Sequence, residues 1–199
     1  MLNIHTMPLG AYQTNCYMIW AEDSDQCVVI DPGYEPERIL ARIEKEGKTL
    51  ASVLLTHGHF DHVGGVRTLA AETDCRVYLC QEDLSMPPQM TAGPLYYTHT
   101  YGEGDVLKIA GLSIRVIHTP GHTPGSVCLL AENAMFSGDT LFEGSCGRTD
   151  LPGGDWATIV KSLKRLAAMD TDYRVFPGHG GSTTLATEKR WNPYMRNNE

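Results

Sequence analysis

Apolar and polar positions divide the chain into strand-like and helix-like stretches. Short apolar runs at residues 3–9, 15–20 and 27–31 open it, each of strand length. The spacing then changes. Over residues 35–46, Ile39, Leu40 and Ile43 share one helical face and Gly47 supplies a stop, which predicts a helix. Residues 51–56 (ASVLLT) are a short apolar strand, 63–72 have a helical pattern, and 76–80 return to strand. Residues 87–104 break this rhythm with two adjacent prolines, three glycines and Tyr96, Tyr97 and Tyr101. An irregular loop of that length inside a compact domain is usually functional or mobile. Strands resume at 106–109, 112–117, 127–130 and 134–136, with turns at Gly111 and at Glu132 and Asn133. Residues 156–169 carry Ile159, Val160, Leu163 and Leu166 at helical spacing, and a last strand (174–176) and helix (184–190) follow.

The order is strands, helix, strand, helix, and then the same again. Two similar halves of this kind, each a sheet covered by helices, would face each other in an α/β fold, a four-layer αββα sandwich. No low-complexity segment, charge block or linker divides the chain, so residues 1–199 are expected to form a single domain.

Composition narrows the function classes. The formal net charge of −8 argues against nucleic acid as the main partner, because phosphate binding needs a basic surface. The N-terminal MLNIHTMPLGAYQ lacks a basic flank followed by an apolar run, and no apolar stretch reaches the roughly eighteen residues of a membrane span. Six cysteines occur without a C-x-x-C pair. They read as reduced, mostly buried thiols of a cytoplasmic protein.

The decisive segment is T-H-G-H-F-D-H at residues 56–62, directly after the apolar strand. By chance, H-x-H-x-D-H would arise in a chain of this composition about once in a thousand. In an extended segment residues i and i+2 point the same way, so His57 and His59 can face one metal ion. Asp61 and His62 fall where the chain turns into a helix, point elsewhere, and suit a second ion. Three further candidates follow strand ends: His122 in the stiff turn T-P-G-H-T-P-G-S, Asp139 in F-S-G-D-T, and His179 in F-P-G-H-G. Asp139 has two oxygens and is the natural bridging ligand. This nitrogen and oxygen donor set suits zinc, iron or manganese. His118 shares a strand face with Leu112, Ile114 and Val116 and reads as core or as support for the site; His5 and His99 have no companions.

These segments resemble the metallo-β-lactamase superfamily, and within it the glyoxalase II-like (hydroxyacylglutathione hydrolase) branch, over nearly the whole chain. The resemblance implies the αββα fold and a partition of ligands: His57, His59 and His122 on one ion, Asp61, His62 and His179 on the other, Asp139 between. It implies two divalent cations, zinc first, and an anionic thioester such as S-lactoylglutathione as substrate, attacked by a metal-bridging hydroxide that Asp61 orients. In this branch a basic residue follows the bridging aspartate and holds the glutathione end; Arg148 of the C-G-R segment has the charge for that role, and pairing of Arg148 with Asp150 is the competing reading. Asp150 also stands where the branch has an aromatic residue. The chain ends twenty residues after His179, as expected for a short form without the helical C-terminal domain. True metallo-β-lactamases of the commonest class have a cysteine at the position of Asp139, which argues against antibiotic hydrolysis. The G-R-T-D segment at 147–150 is also seen in iron-dependent persulfide dioxygenases of the same fold, the main alternative. A lactonase and an RNA-processing nuclease are further readings.

Overall fold

The computed structural model describes residues 1–196. Strands β1 (Leu2–Leu9), β2 (Thr14–Ala21) and β3 (Gln26–Ile30) lead into α1 (Pro36–Lys45) and β4 (Thr49–Leu54). The short α2 (Phe60–Val63), α3 (Val66–Thr73), β5 (Arg76–Cys80) and a 3-10 turn (Gln81–Ser85) follow. Next come α4 (Pro88–Thr91), β6 (His99–Tyr101), β7 (Val106–Ile109), β8 (Leu112–His118), β9 (Val127–Ala131) and β10 (Ala134–Gly138). A ribbon of β11 (Leu141–Phe142) and β12 (Ser145–Cys146) precedes α5 (Trp156–Ala167) and β13 (Arg174–Pro177). β14 (Thr183–Thr184), α6 (Leu185–Trp191) and α7 (Pro193–Arg196) complete the order.

Two six-stranded sheets carry the fold, in the orders β1-β2-β3-β4-β5-β6 and β14-β13-β10-β9-β8-β7. Side-chain alternation explains how they stack. Tyr17, Ile19, Val28, Ile30 and Leu54 of the first sheet meet Ile114, Val116, Leu129 and Phe136 of the second in a core between the sheets. The intervening Cys16, Met18, Cys27, Val29 and Val53 face outward beneath Ile39 and Ile43 of α1 and Leu69 of α3. Across the molecule, Ile117, Cys128, Leu130 and Met135 pack under Ile159, Leu163 and Leu166 of α5 and Leu185 of α6. The layers run helix, sheet, sheet, helix, as the pattern predicts. Central strands are apolar on both faces because both faces are covered. Among the described residues no helix is long and apolar enough to cross a membrane, and all six cysteines are free, five of them buried.

Three local features differ from expectation. The stretch 87–104 is not wholly irregular: it holds α4 and the edge strand β6, parallel to β5. Buried Tyr101 anchors β6, its hydroxyl donating to the Leu55 carbonyl at 2.5 Å; a three-residue strand with two exposed positions shows no periodicity. The helix expected at 63–72 begins only at Val66, after a break at Gly64 and Gly65. A Cβ on Gly64 would stand 2.2 Å from the Gly33 carbonyl oxygen, so the chain restarts its helix there to lie against residues 32–33. The β11–β12 ribbon, two residues per strand, is too short to leave a pattern.

Candidate metal centre

The seven ligand candidates all lie just beyond the carboxyl ends of strands. β4 delivers His57 and His59 and, through α2, Asp61 and His62; β8 leads to His122, β10 to Asp139 and β13 to His179. Cross-sheet hydrogen bonds draw these ends together: Val127 N to Thr56 O at 2.9 Å, and Asn15 N to Gly178 O at 2.7 Å. Close approach also excludes side chains, since a Cβ on Gly178 would fall 2.2 Å from Asp139 Oδ1.

The structure brings all seven side chains together. His57, His59 and His122 offer ligand atoms within 4.8 Å of one another, and Asp61, His62 and His179 do the same. Asp139 lies between: Oδ1 is 3.4 Å from His62 Nε2, and Oδ2 is 3.5 Å from His122 Nε2 and 3.6 Å from His179 Nε2. Buried His57 Nε2, His59 Nε2, His62 Nε2 and Asp139 Oδ1 have no hydrogen-bond partner among the described residues. Leaving so many polar atoms unpaired in one place costs several kcal/mol at ~1–3 kcal/mol each, a cost that bound cations would remove. The donor set, imidazole nitrogen and carboxylate oxygen, fits a pair of divalent ions.

Supporting partners set the tautomers. Thr56 Oγ1 donates to Asp31 Oδ2 at 2.6 Å, so it accepts from His57 Nδ1 at 3.1 Å. His62 Nδ1 donates to Asp31 Oδ2 at 2.9 Å, and His122 Nδ1 to the Arg148 carbonyl at 2.7 Å. With Nδ1 so engaged, each of these rings turns Nε2 into the cluster, the atom through which it would coordinate a metal ion. His59 differs, its Nδ1 lying 2.9 Å from His122 Nε2.

Electrostatics agree with this assignment. Burial, followed by neighbouring imidazoles, pushes His57 well below the ordinary imidazole range and His59 down to about 4, so both are neutral donors. Burial opposes charge on Asp139 and Asp61 as well. For Asp139 it is outweighed by His62, His122 and His179, and for Asp61 by the hydrogen bond from His179 and the charge of His62; both carboxyls are held below their usual range. His62, although buried, is raised by Asp139 and Asp31, and His179 by Asp61 and Asp139. These protons stand where cations would replace them.

Three contributors were not identified from the sequence. Asp31, at φ 50°, holds Thr56 and His62; its only signal was an aspartate directly after an apolar strand, the same signal that marks Asp139. Thr14 donates to Asp61 Oδ2 at 3.1 Å. Buried Asp83 accepts from Gly58 N, Thr123 Oγ1 and Gly125 N at 2.7, 3.0 and 2.5 Å, joining the His57–His59 segment to the His122 turn. His118, expected as core or support, is half-buried at the end of β8.

His59, Asp61, His122, Asp139 and His179 line a cleft of about 560 Å³, with Tyr12, Phe60, Met90, Phe142 and Leu151 among its walls; His57 and His62 are fully buried. Arg148 stands at this cleft, exposed, and binds Asp150 through Nε and Nη2, both at 2.7 Å.

The model of the "Metallo-beta-lactamase superfamily" matches residues 9–179, which include every one of these ligand candidates. The chain belongs to that superfamily. It is a metallohydrolase with a divalent-metal site, in the glyoxalase II-like branch. The chain is 36% identical to hydroxyacylglutathione hydrolase GloC of Haemophilus influenzae, over 98% of each protein. Among solved structures, the BLEG-1 B3 metallo-β-lactamase is 35% identical with a TM-score of 0.86, over 99% of this chain and 100% of that one. TTHA1623, solved in a di-iron-bound form, is 40% identical with a TM-score of 0.83, over 96% and 99%.

Proposed function

We propose that this metallohydrolase cleaves an anionic thioester of the S-lactoylglutathione type. The observation that carries the proposal is the convergence of unpaired nitrogen and oxygen donors in one cluster, five of whose seven residues line one cleft, in a chain similar over 98% of its length to a hydroxyacylglutathione hydrolase. His57, His59 and His122 would hold one cation, Asp61, His62 and His179 the other, with Asp139 shared. Two divalent ions, zinc by donor type or iron as in TTHA1623, supply a water acidified towards neutrality and a Lewis acid for the carbonyl oxygen.

The chain's own residues do the rest. Thr14 donates to Asp61 Oδ2, which steadies the carboxylate so that Oδ1 can accept a proton of the attacking water and turn its lone pair to the carbonyl carbon. The leaving thiolate has a conjugate acid of pKa about 8.5, so no general acid is needed. Tyr12, Phe60, Phe142 and Leu151 cover the acyl group and its stem. Arg148 exchanges Asp150 for an anionic group of the substrate.

The test is turnover by metal-defined protein of a panel holding a glutathione thioester, a short neutral thioester, a lactone, a β-lactam and RNA, with oxygen uptake on a glutathione persulfide. Thioester cleavage is expected, and Asp139→Ala should lose both bound metal and activity while staying folded. Oxygen uptake without thioester cleavage would establish the dioxygenase reading that the G-R-T-D segment favours, and preferential turnover of β-lactam, lactone or RNA would likewise overturn the proposal.

A further inference from the structure

We infer that Cys80, Glu82 and His118 form a second, separate cation site for a zinc-class divalent ion, on the seam between the two sheets. The inference does not depend on the substrate of the main centre. Cys80 is the last residue of β5 in the first sheet, Glu82 lies in the 3-10 turn that follows, and His118 is the last residue of β8 in the second sheet. His118 is remote in the chain from the other two, yet each of the three places a donor atom within 4.8 Å of the others.

The chemistry of each donor fits. A thiol, an imidazole and a carboxylate form the mixed sulfur, nitrogen and oxygen set that zinc accepts, with a fourth position left for water. His118 Nε2 lies 2.8 Å from the Pro124 carbonyl oxygen. A carbonyl can only accept, so the ring proton sits on Nε2 and Nδ1 keeps its lone pair. This is how a backbone carbonyl orients a metal-binding histidine. The Cys80 thiol donates to Glu82 Oε2 at 2.9 Å, so a single proton occupies the space between two groups that are anionic without it. Burial first, and then that carboxylate, push the thiol up to about 12. An entering ion takes the place of this proton, which leaves to solvent; no oxidation is involved. Glu82 is exposed, which gives the ion a route in, whereas Cys80 is buried. Other charges nearby are engaged: Arg165 binds Glu103 and the His118 carbonyl, and Asp83 faces Gly58 and Gly125. An ion here would tie the segment carrying Asp83 to the strand leading to His122.

The main centre has only nitrogen and oxygen ligands, so a thiolate signature separates the two sites. Protein already loaded with zinc at the main centre is titrated with Co²⁺. The expected result is one further equivalent bound, a near-ultraviolet thiolate-to-cobalt charge-transfer band, proton release and a raised Tm. Cys80→Ser should abolish the band. Glu82→Gln, at an exposed position and with an amide oxygen that can still accept from Cys80, should weaken this binding by about tenfold or more. Cys146→Ser, which removes the thiol lining the main cleft, should leave the band in place. Absence of the band at saturating Co²⁺, its survival in Cys80→Ser, or its loss in Cys146→Ser would overturn the assignment.

Discussion

Replacing Asp83 with asparagine tests whether one buried carboxylate holds the two halves of the metal centre in register. Asp83 Oδ2 accepts from Gly58 N at 2.7 Å and Thr123 Oγ1 at 3.0 Å, and Oδ1 from Gly125 N at 2.5 Å. Gly58 lies between His57 and His59, and Thr123 follows His122. Asparagine keeps the shape but has one accepting oxygen, so its amide nitrogen must face the N–H of Gly58 or Gly125. That donor is left buried and unpaired, at ~1–3 kcal/mol, and the remaining bonds lose charge assistance, at roughly 1 kcal/mol. Part returns, because burial holds the Asp83 carboxyl above its usual range despite these bonds, so neutralising it relieves desolvation. The net expectation is a loss of about 2 kcal/mol, or ~4–8 °C in Tm for a chain of this size. Asp83→Ala, with three donors stranded, should lose about 3–5 kcal/mol. Slack between the two ligand segments should also lower metal affinity by ~10–100-fold. Thermal unfolding of chelator-treated protein reads the first effect and competition with a chromophoric chelator the second. An asparagine variant matching wild type in both would refute the reasoning.

Arg148→Ala should raise KM for a glutathione thioester more than for a short neutral thioester, with Tm unchanged; equal effects on both substrates would mean that Arg148 does not read the anionic end. Phe136→Ala removes a fully buried ring 5.2 Å from Tyr17 and 5.4 Å from Phe176, and urea unfolding should show a loss of about 3–5 kcal/mol; a loss under ~1 kcal/mol would contradict the inter-sheet core. Glu103 is held below the ordinary carboxylate range chiefly by its hydrogen bond from Arg165. A depressed carboxylate contributes stability above its unfolded pKa that disappears as pH falls through the folded one. The Tm gap between wild type and Glu103→Gln should thus be present at neutral pH, worth ~1 kcal/mol or less at this half-exposed pair, and close below about pH 4; a gap that widens on acidification would contradict it.

Much of this architecture was legible because the relevant signals are local. His57, His59, His122, Asp139 and His179 each follow an apolar run or sit between glycines and prolines, and a side chain there must lie at the rim of a sheet. The apolar pattern of residues 27–30 and 127–131 likewise needs cover on both faces. The pairing of Arg148 with Asp150 was also within reach, two residues apart. Strand β6 was not, since Thr100 and His99 are exposed and only Tyr101 reports burial.

The linear order of residues thus determined the layers and the seven ligand candidates, since side-chain type and two short periodicities are enough to place a strand end and the candidate just beyond it. Folding alone decided which group steadies which ligand. Asp31 meets His62 across 31 positions and Asp83 meets Gly125 across 42, while Cys80 and His118 come from different sheets. Such pairings depend on distance and direction in space, quantities that local periodicity does not encode.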